Sequence, residues 1–176
     1  MVLGTTVVCA VARAAGGLSG SEGIVLLAAA TVGSLLPDID TPFNSLGMRK
    51  VGRILQWLVG HRTVTHSLIG WAAASALAAA LAFAVSRMDT MLPGRWWVLA
   101  LGVSGGYAVH LLADAATKTG VPLLYPVRDG RTLKRFHLLP KILRIRTESF
   151  IEMIIGALAL LLLAWGLWPI LAALTG

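Results

Sequence analysis

An all-α, polytopic membrane helical bundle with about four to five transmembrane helices is the fold this sequence predicts. Three observations carry it. Hydrophobic residues make up 57% of the 176-residue chain and charged residues only 13%, against ~25% in an ordinary soluble domain. So few charges cannot cover a soluble globule of this size. The apolar residues fall into long runs almost free of charge. The basic residues, which bring the formal net charge to +7, sit in the segments between those runs. This pattern excludes a soluble enzyme, a disordered tail and a disulfide scaffold, since the single Cys9 cannot form an internal bridge. Basic residues beside apolar runs orient a membrane protein, so no nucleic-acid partner is expected.

The spans follow in order. Val2–Ala15, apolar apart from Arg13, and Ile24–Leu36 are each short for a full crossing. They are read as two short or tilted helices, with a re-entrant hairpin around Gly16, Gly17 and Gly20 as the alternative. No basic stretch precedes the first run, so no cleaved signal peptide is expected. Ser67–Ser86 has 20 residues without a charge, enough to cross ~30 Å of hydrocarbon. Trp96–Ala113 is interrupted only by His110, and Phe150–Leu174 carries Glu152 near its start. Residues 1–176 thus form one membrane-embedded domain of about five spans, without an internal repeat.

The connections are unequal in charge. Segment 38–66 carries Arg49, Lys50, Arg53 and Arg62. Segment 115–149 carries Lys118, Arg128, Arg131, Lys134, Arg135, Lys141, Arg144 and Arg146. The short connection Arg87–Arg95 has its two flanking arginines and Asp89. The excess of Lys and Arg places both long segments in the cytoplasm, with the N-terminus inside and Gly176 outside. Within the first, Met48–Val59 has the apolar spacing of a short amphipathic helix lying in the interface.

That topology, set by hydropathy and loop charge alone, gathers the ionisable groups at one end of the bundle. Asp38 and Asp40 follow the run at Leu35–Leu36, His61 and His66 precede the 20-residue span, His110 and Asp114 close the next, and Glu152 opens the last. His110 and Asp114 are four apart, so a helix stacks them on one face, as two ligands or as a ligand and the carboxylate that orients it. The bland alternative is a polar pair facing neighbouring helices. At a hydrocarbon edge such a pair is expensive and reads as functional. Asp38 and Asp40 have period two between Pro37 and Pro42. Extended backbone would point both carboxylates to one side, where a cation relieves their repulsion. His61 is read as a loop residue and His66 as first-turn, with Thr65 near the cap and Thr63, Thr65 and Ser67 available to hydrogen-bond the site.

Imidazole and carboxylate without thiolate suit one or two divalent ions, Zn²⁺ first, with Mn²⁺ or Fe²⁺ as alternatives. The expected ligand set is Asp38, Asp40, His61, His66, His110, Asp114 and Glu152. Asp40 and Glu152 are the candidate catalytic groups, Glu152 as ligand, general base or an acid held by Arg146. Glu148 is a weaker candidate, Cys9 is read as packing, and His137 as a solvated loop residue.

These residues resemble the YdjM-like family of bacterial inner-membrane proteins. The matching stretches are Gly33–Pro42, Gly60–Leu68 and His110–Thr117, continued by Gly120–Pro126, with Glu152 at the family's acid position opening the last span. The resemblance covers most of the chain from about Thr31 and implies a metal-dependent hydrolase of the bacterial inner (cytoplasmic) membrane. Family members carry a His before the first apolar run, which the opening Met1–Thr6 lacks.

The expected activity is therefore hydrolysis at the cytoplasmic face of a phosphate ester in a lipid or other membrane-resident substrate, amide or carboxylic-ester cleavage being the other chemistries open to it. Membrane lipids are the expected partners, and the oligomeric state is open. Arg62 either binds a phosphate oxygen or snorkels as an interface anchor. Two alternatives stand beside this reading: a scaffold whose helix ends are stapled by metal, and an ion transporter. The transporter needs a polar track across the membrane, whereas Ser67–Ser86 has only Ser75 between its ends.

Overall fold

The structure, a computed structural model, describes residues 20–38, 64–88 and 96–145. Three helices dominate it: α1 (Gly20–Leu35), α2 (Leu68–Met88) and α3 (Trp96–Ala116). A 3₁₀ turn, Leu36–Asp38, extends α1. After α3 come a two-stranded antiparallel hairpin, β1 (Arg128–Asp129) and β2 (Thr132–Leu133), and a 3₁₀ turn, Lys141–Leu143. The helices coincide with the apolar runs at 24–36, 67–86 and 96–113. The expected elements at 2–15, 48–59 and 150–174 lie outside the described residues.

Helices α2 and α3 are long and apolar enough to cross a membrane. Each has 21 residues, or ~31 Å at the helical rise. Helix α1, with 16 residues, reaches ~24 Å, the shorter element its apolar run implies. Leu77, Leu81 and Phe83 of α2 are half-exposed or more, an outward face that suits hydrocarbon better than water.

Helix α3 lies against both others. Its α1 side is a seam of small residues. A Cβ on Gly33 would collide with the Val103 backbone, one on Gly106 with the Ala30 carbonyl, and one on Gly102 would lie 2.6 Å from the Ala29 Cβ. Only glycine lets the main chains meet this closely, the packing that serves helices where lipid supplies no hydrophobic drive. On the other side, the Trp71 indole N–H donates to the Ser104 carbonyl at 3.1 Å, and the Ser75 hydroxyl to that of Ser104 at 3.0 Å.

The start of α2 differs from the expected cap. The Ser67 hydroxyl accepts from the Gly70 N–H at 3.2 Å and donates to the Val64 carbonyl at 2.6 Å. Ser67 is therefore the N-cap, a role worth about 1 kcal/mol, and Thr65 is left to face the His66 ring. The reason is the turn at 64–67, which delays the helix until Leu68 and leaves His66 just ahead of it.

The basic stretch after α3 is folded, not an open loop. Val121 and Phe136 exchange both backbone hydrogen bonds, at 3.1 and 2.7 Å, and Thr117 bridges to Ile145. The returning chain also satisfies the end of α3: Leu138 N–H donates to the Ala115 carbonyl at 2.8 Å and Ile145 N–H to that of Ala116 at 3.1 Å. Helix-end carbonyls that lack intrahelical partners are thus paired. Tyr107, Leu111, Ala115 and Val121 form the buried core at this end, with Leu36 and Trp71 packed against it.

Candidate metal centre

Glycine packing and the ionisable cluster belong to one feature of α3. Gly102, Gly106, His110 and Asp114 follow each other at intervals of four, along one ridge of the helix. Where the ridge is glycine, α1 lies against it. One turn further on, the 3₁₀ turn after α1 delivers Asp38 to His110. The turn ahead of α2 delivers His66 to the same point. Its backbone is tied there by the Tyr107 hydroxyl, which donates to the Thr65 carbonyl, and by Leu68 N–H, which donates to the Leu123 carbonyl at 2.9 Å.

Four side chains converge. His66 Nε2 lies 3.4 Å from Asp38 Oδ1 and 3.4 Å from Asp114 Oδ2. His110 Nε2 lies 3.5 Å from Asp38 Oδ2 and 3.7 Å from Asp114 Oδ2. Donor atoms of Asp38, His66 and His110 all fall within 4.8 Å of one another. A tetrahedron built from ~2.0–2.1 Å bonds has edges of ~3.3–3.4 Å. The two separations from His66 match those edges, that from His110 to Asp38 is close to them and that from His110 to Asp114 exceeds them; all are long for direct N–H···O bonds.

The ring orientations point the same way. His110 Nδ1 donates to the Ser34 carbonyl at 2.8 Å. Neutral His110 therefore carries its proton on Nδ1 and turns a bare Nε2 lone pair towards the carboxylates. His66 Nδ1 is 3.2 Å from the Thr65 hydroxyl, which anchors the ring and can pair with either tautomer. Both Nε2 atoms are buried and lack a hydrogen-bond partner. Leaving a buried polar atom unpaired costs ~1–3 kcal/mol, and the His110 lone pair also faces negative charge. A cation between them removes both penalties. The cluster could hold a metal ion.

The centre is asymmetric. The His66 and His110 side chains are 3% and 11% exposed, whereas those of Asp38 and Asp114 are 38% and 39% exposed. Imidazoles form a dry floor and carboxylates an open rim. A recess beside this rim is lined by His66, Asp114, Thr117, Thr119, Gly120 and Arg135, among others.

Of the expected site residues, Asp38, His66, His110 and Asp114 are brought together. Asp40, His61, Arg62, Glu152 and the weaker Glu148 lie outside the described residues. Asp38 is not on extended backbone as its period-two pairing with Asp40 suggested; Pro37 and Asp38 continue α1 as a 3₁₀ turn. His137 is only partly solvated, its ring packed over Gly120 with Nε2 3.3 Å from the Lys118 carbonyl. Two contributors carried no signal in the sequence. The Ser34 carbonyl is backbone, and Arg135 was one cation among many.

Residues 1–175 match the family model described as YdjM inner membrane protein. The chain belongs to the YdjM inner membrane protein family. The inner membrane protein YdjM of Escherichia coli strain K12 is 36% identical over 104 residues, 53% of this chain and 45% of that protein, and the YdjM protein of Shigella flexneri matches to the same extent. The match thus spans less than half the length of these YdjM relatives. The uncharacterized protein YvsG of Bacillus subtilis strain 168 is 30% identical over 109 residues, 61% of each chain. No solved structure matches. The inner-membrane assignment of the YdjM family accords with the apolar helices α2 and α3.

Proposed function

We propose that this YdjM-family chain is a membrane-embedded, metal-dependent hydrolase that acts at the cytoplasmic face on a phosphate ester of a lipid or other membrane-resident substrate. One observation carries the reading: two buried imidazole nitrogens without a hydrogen-bond partner, grouped with the part-exposed Asp38 carboxylate closely enough to share a metal ion, with Asp114 beside them. A bound divalent ion, zinc being the best match to nitrogen and oxygen donors, supplies an acidified water and an electrophile for the scissile group. The chain's own residues do the rest. The Ser34 carbonyl holds the His110 tautomer, Thr65 anchors the His66 ring, α3 fixes His110 against Asp114, and the open rim gives substrate a way in. Asp40 and Glu152 remain the candidates for proton transfer, and His61 for a further ligand. An open rim argues against a purely structural staple, which would close its coordination shell.

In this reading the helix ends that carry the centre lie at headgroup depth. In support, Ile142 and Leu143 stand exposed between Lys141 and Arg144, the mixture that suits the border of an anionic membrane. Single cysteines at Arg131 and at Asp89, in a Cys9→Ser background, test the orientation. A membrane-impermeant thiol reagent should reach position 89 in intact cells and position 131 only in inverted vesicles. Labelling of position 131 from outside would reverse the topology.

Activity is tested with metal-loaded protein in vesicles containing anionic and polyprenyl phospholipids. Wild type should release phosphate or headgroup, and Asp38→Ala, His66→Ala and Glu152→Gln should each abolish turnover while still folding. An inactive, metal-replete wild type on all these lipids would remove the phosphoesterase reading.

A further inference from the structure

We infer that the recess beside Asp114 and His66 is an oxyanion subsite, in which Arg135 binds a phosphoryl oxygen of a ligand whose other oxygens face the metal cluster. The inference rests on the metal-centre reading above and deepens it. The recess is lined by His66 and Asp114 of the cluster and by Arg135. One arm of the guanidinium is fixed: Nη1 donates to the Thr119 carbonyl at 3.0 Å. Among the described residues no carboxylate pairs with Arg135, so its other N–H groups are available to a ligand. A planar fork with spare donors is the side chain best matched to a phosphoryl group.

The fold holds that arginine in place. Residue 135 precedes Phe136, whose two backbone bonds to Val121 lock it beside the Thr119–Gly120 turn. Gly120 has φ +63°, and the His137 ring occupies the space a Cβ would need. The turn that walls the recess is thus braced on both sides.

Electrostatics couple the subsite to the ion. Asp38 and Asp114 repel an anion when the centre is metal-free, and a divalent ion offsets them. Phosphate affinity should therefore depend on metal, which distinguishes a built subsite from a merely basic surface.

The probe is inorganic phosphate, titrated calorimetrically into full-length protein in phosphate-free detergent, with and without Zn²⁺. A second arm uses short-chain phosphatidylglycerol, which separates a lipid headgroup from free phosphate as the source. Metal-loaded wild type should bind phosphate. Arg135→Ala should weaken binding at least about tenfold, as expected for a lost charge-assisted bond, with metal content unchanged. Arg135→Lys should fall between, and Lys134→Ala, an exposed neighbour, should match wild type. The inference is overturned if metal-loaded wild type does not bind phosphate, if Arg135→Ala binds as wild type does, if Lys134→Ala loses as much, or if Arg135→Ala loses its metal. Phosphate binding that needs Arg135 in a protein without lipid turnover would keep the subsite and remove the hydrolase. Turnover with unchanged phosphate binding in Arg135→Ala would do the reverse.

Discussion

Purified protein should contain at least about one divalent transition-metal ion per chain, and His110→Ala combined with Asp114→Ala should strip it. Removing only an orienting partner of a ligand costs ~10–100-fold in metal affinity. The double variant removes a donor from the buried floor and one from the open rim, so its loss should be larger. It should also relieve the His66 ring of one of its two carboxylate neighbours, which leaves Asp38 and His66 as an incomplete pair. Asp129→Ala, an exposed acid on the hairpin, should retain full metal content. Elemental analysis of protein prepared without added chelator reads the outcome. Unchanged metal in the double variant would exclude this cluster as the binding site.

Gly106→Leu should destabilise the protein by about 3 kcal/mol or more, because the new side chain must force α1 away from α3. For a chain of this size that corresponds to a fall of roughly 6–12 °C in the unfolding midpoint. Metal content should fall with it, although residue 106 is a full turn from His110, since parting the helices carries Asp38 away from the imidazole. Gly130→Ala is the comparison. That glycine has φ +62° but open space around it, so the cost should stay near ~1 kcal/mol with metal intact. A Gly106→Leu protein with wild-type midpoint and metal would show that the seam does not position the site.

Much of this arrangement was legible because long-range packing had little to add. Apolar runs of 20 and 18 residues, Ser67–Ser86 and Trp96–Ala113, are helices by necessity in hydrocarbon, where every backbone polar group must bond within its own segment. The i, i+4 spacing of His110 and Asp114 then sets their shared face. What was not legible depends on contacts between distant segments. Asp38 reaches His110 only because Gly33 and Gly106 allow the helices to close. The Ser34 carbonyl orients a ring 76 residues away. The hairpin did carry a local cue, Gly130 as the first residue of the two-residue turn between Asp129 and Thr132, which the surrounding basic charge obscured. Arg135 had no cue, since the pairing of Val121 with Phe136 is what singles it out from its neighbours.

The glycine seam has a consequence for how the centre can adjust. Where main chain meets main chain there are no side chains to repack, so the segments that carry Asp38 and His110 keep their distance from one another. The 3.5 Å opening between Asp38 Oδ2 and His110 Nε2 then changes only through rotation of those two side chains. Separation of this order serves a four-coordinate ion with bonds of ~2.0–2.1 Å and a larger six-coordinate one alike, so the choice between ions falls to donor chemistry. The seam acts as a fixed vice, and the jaws it holds are half nitrogen, which calcium does not seek.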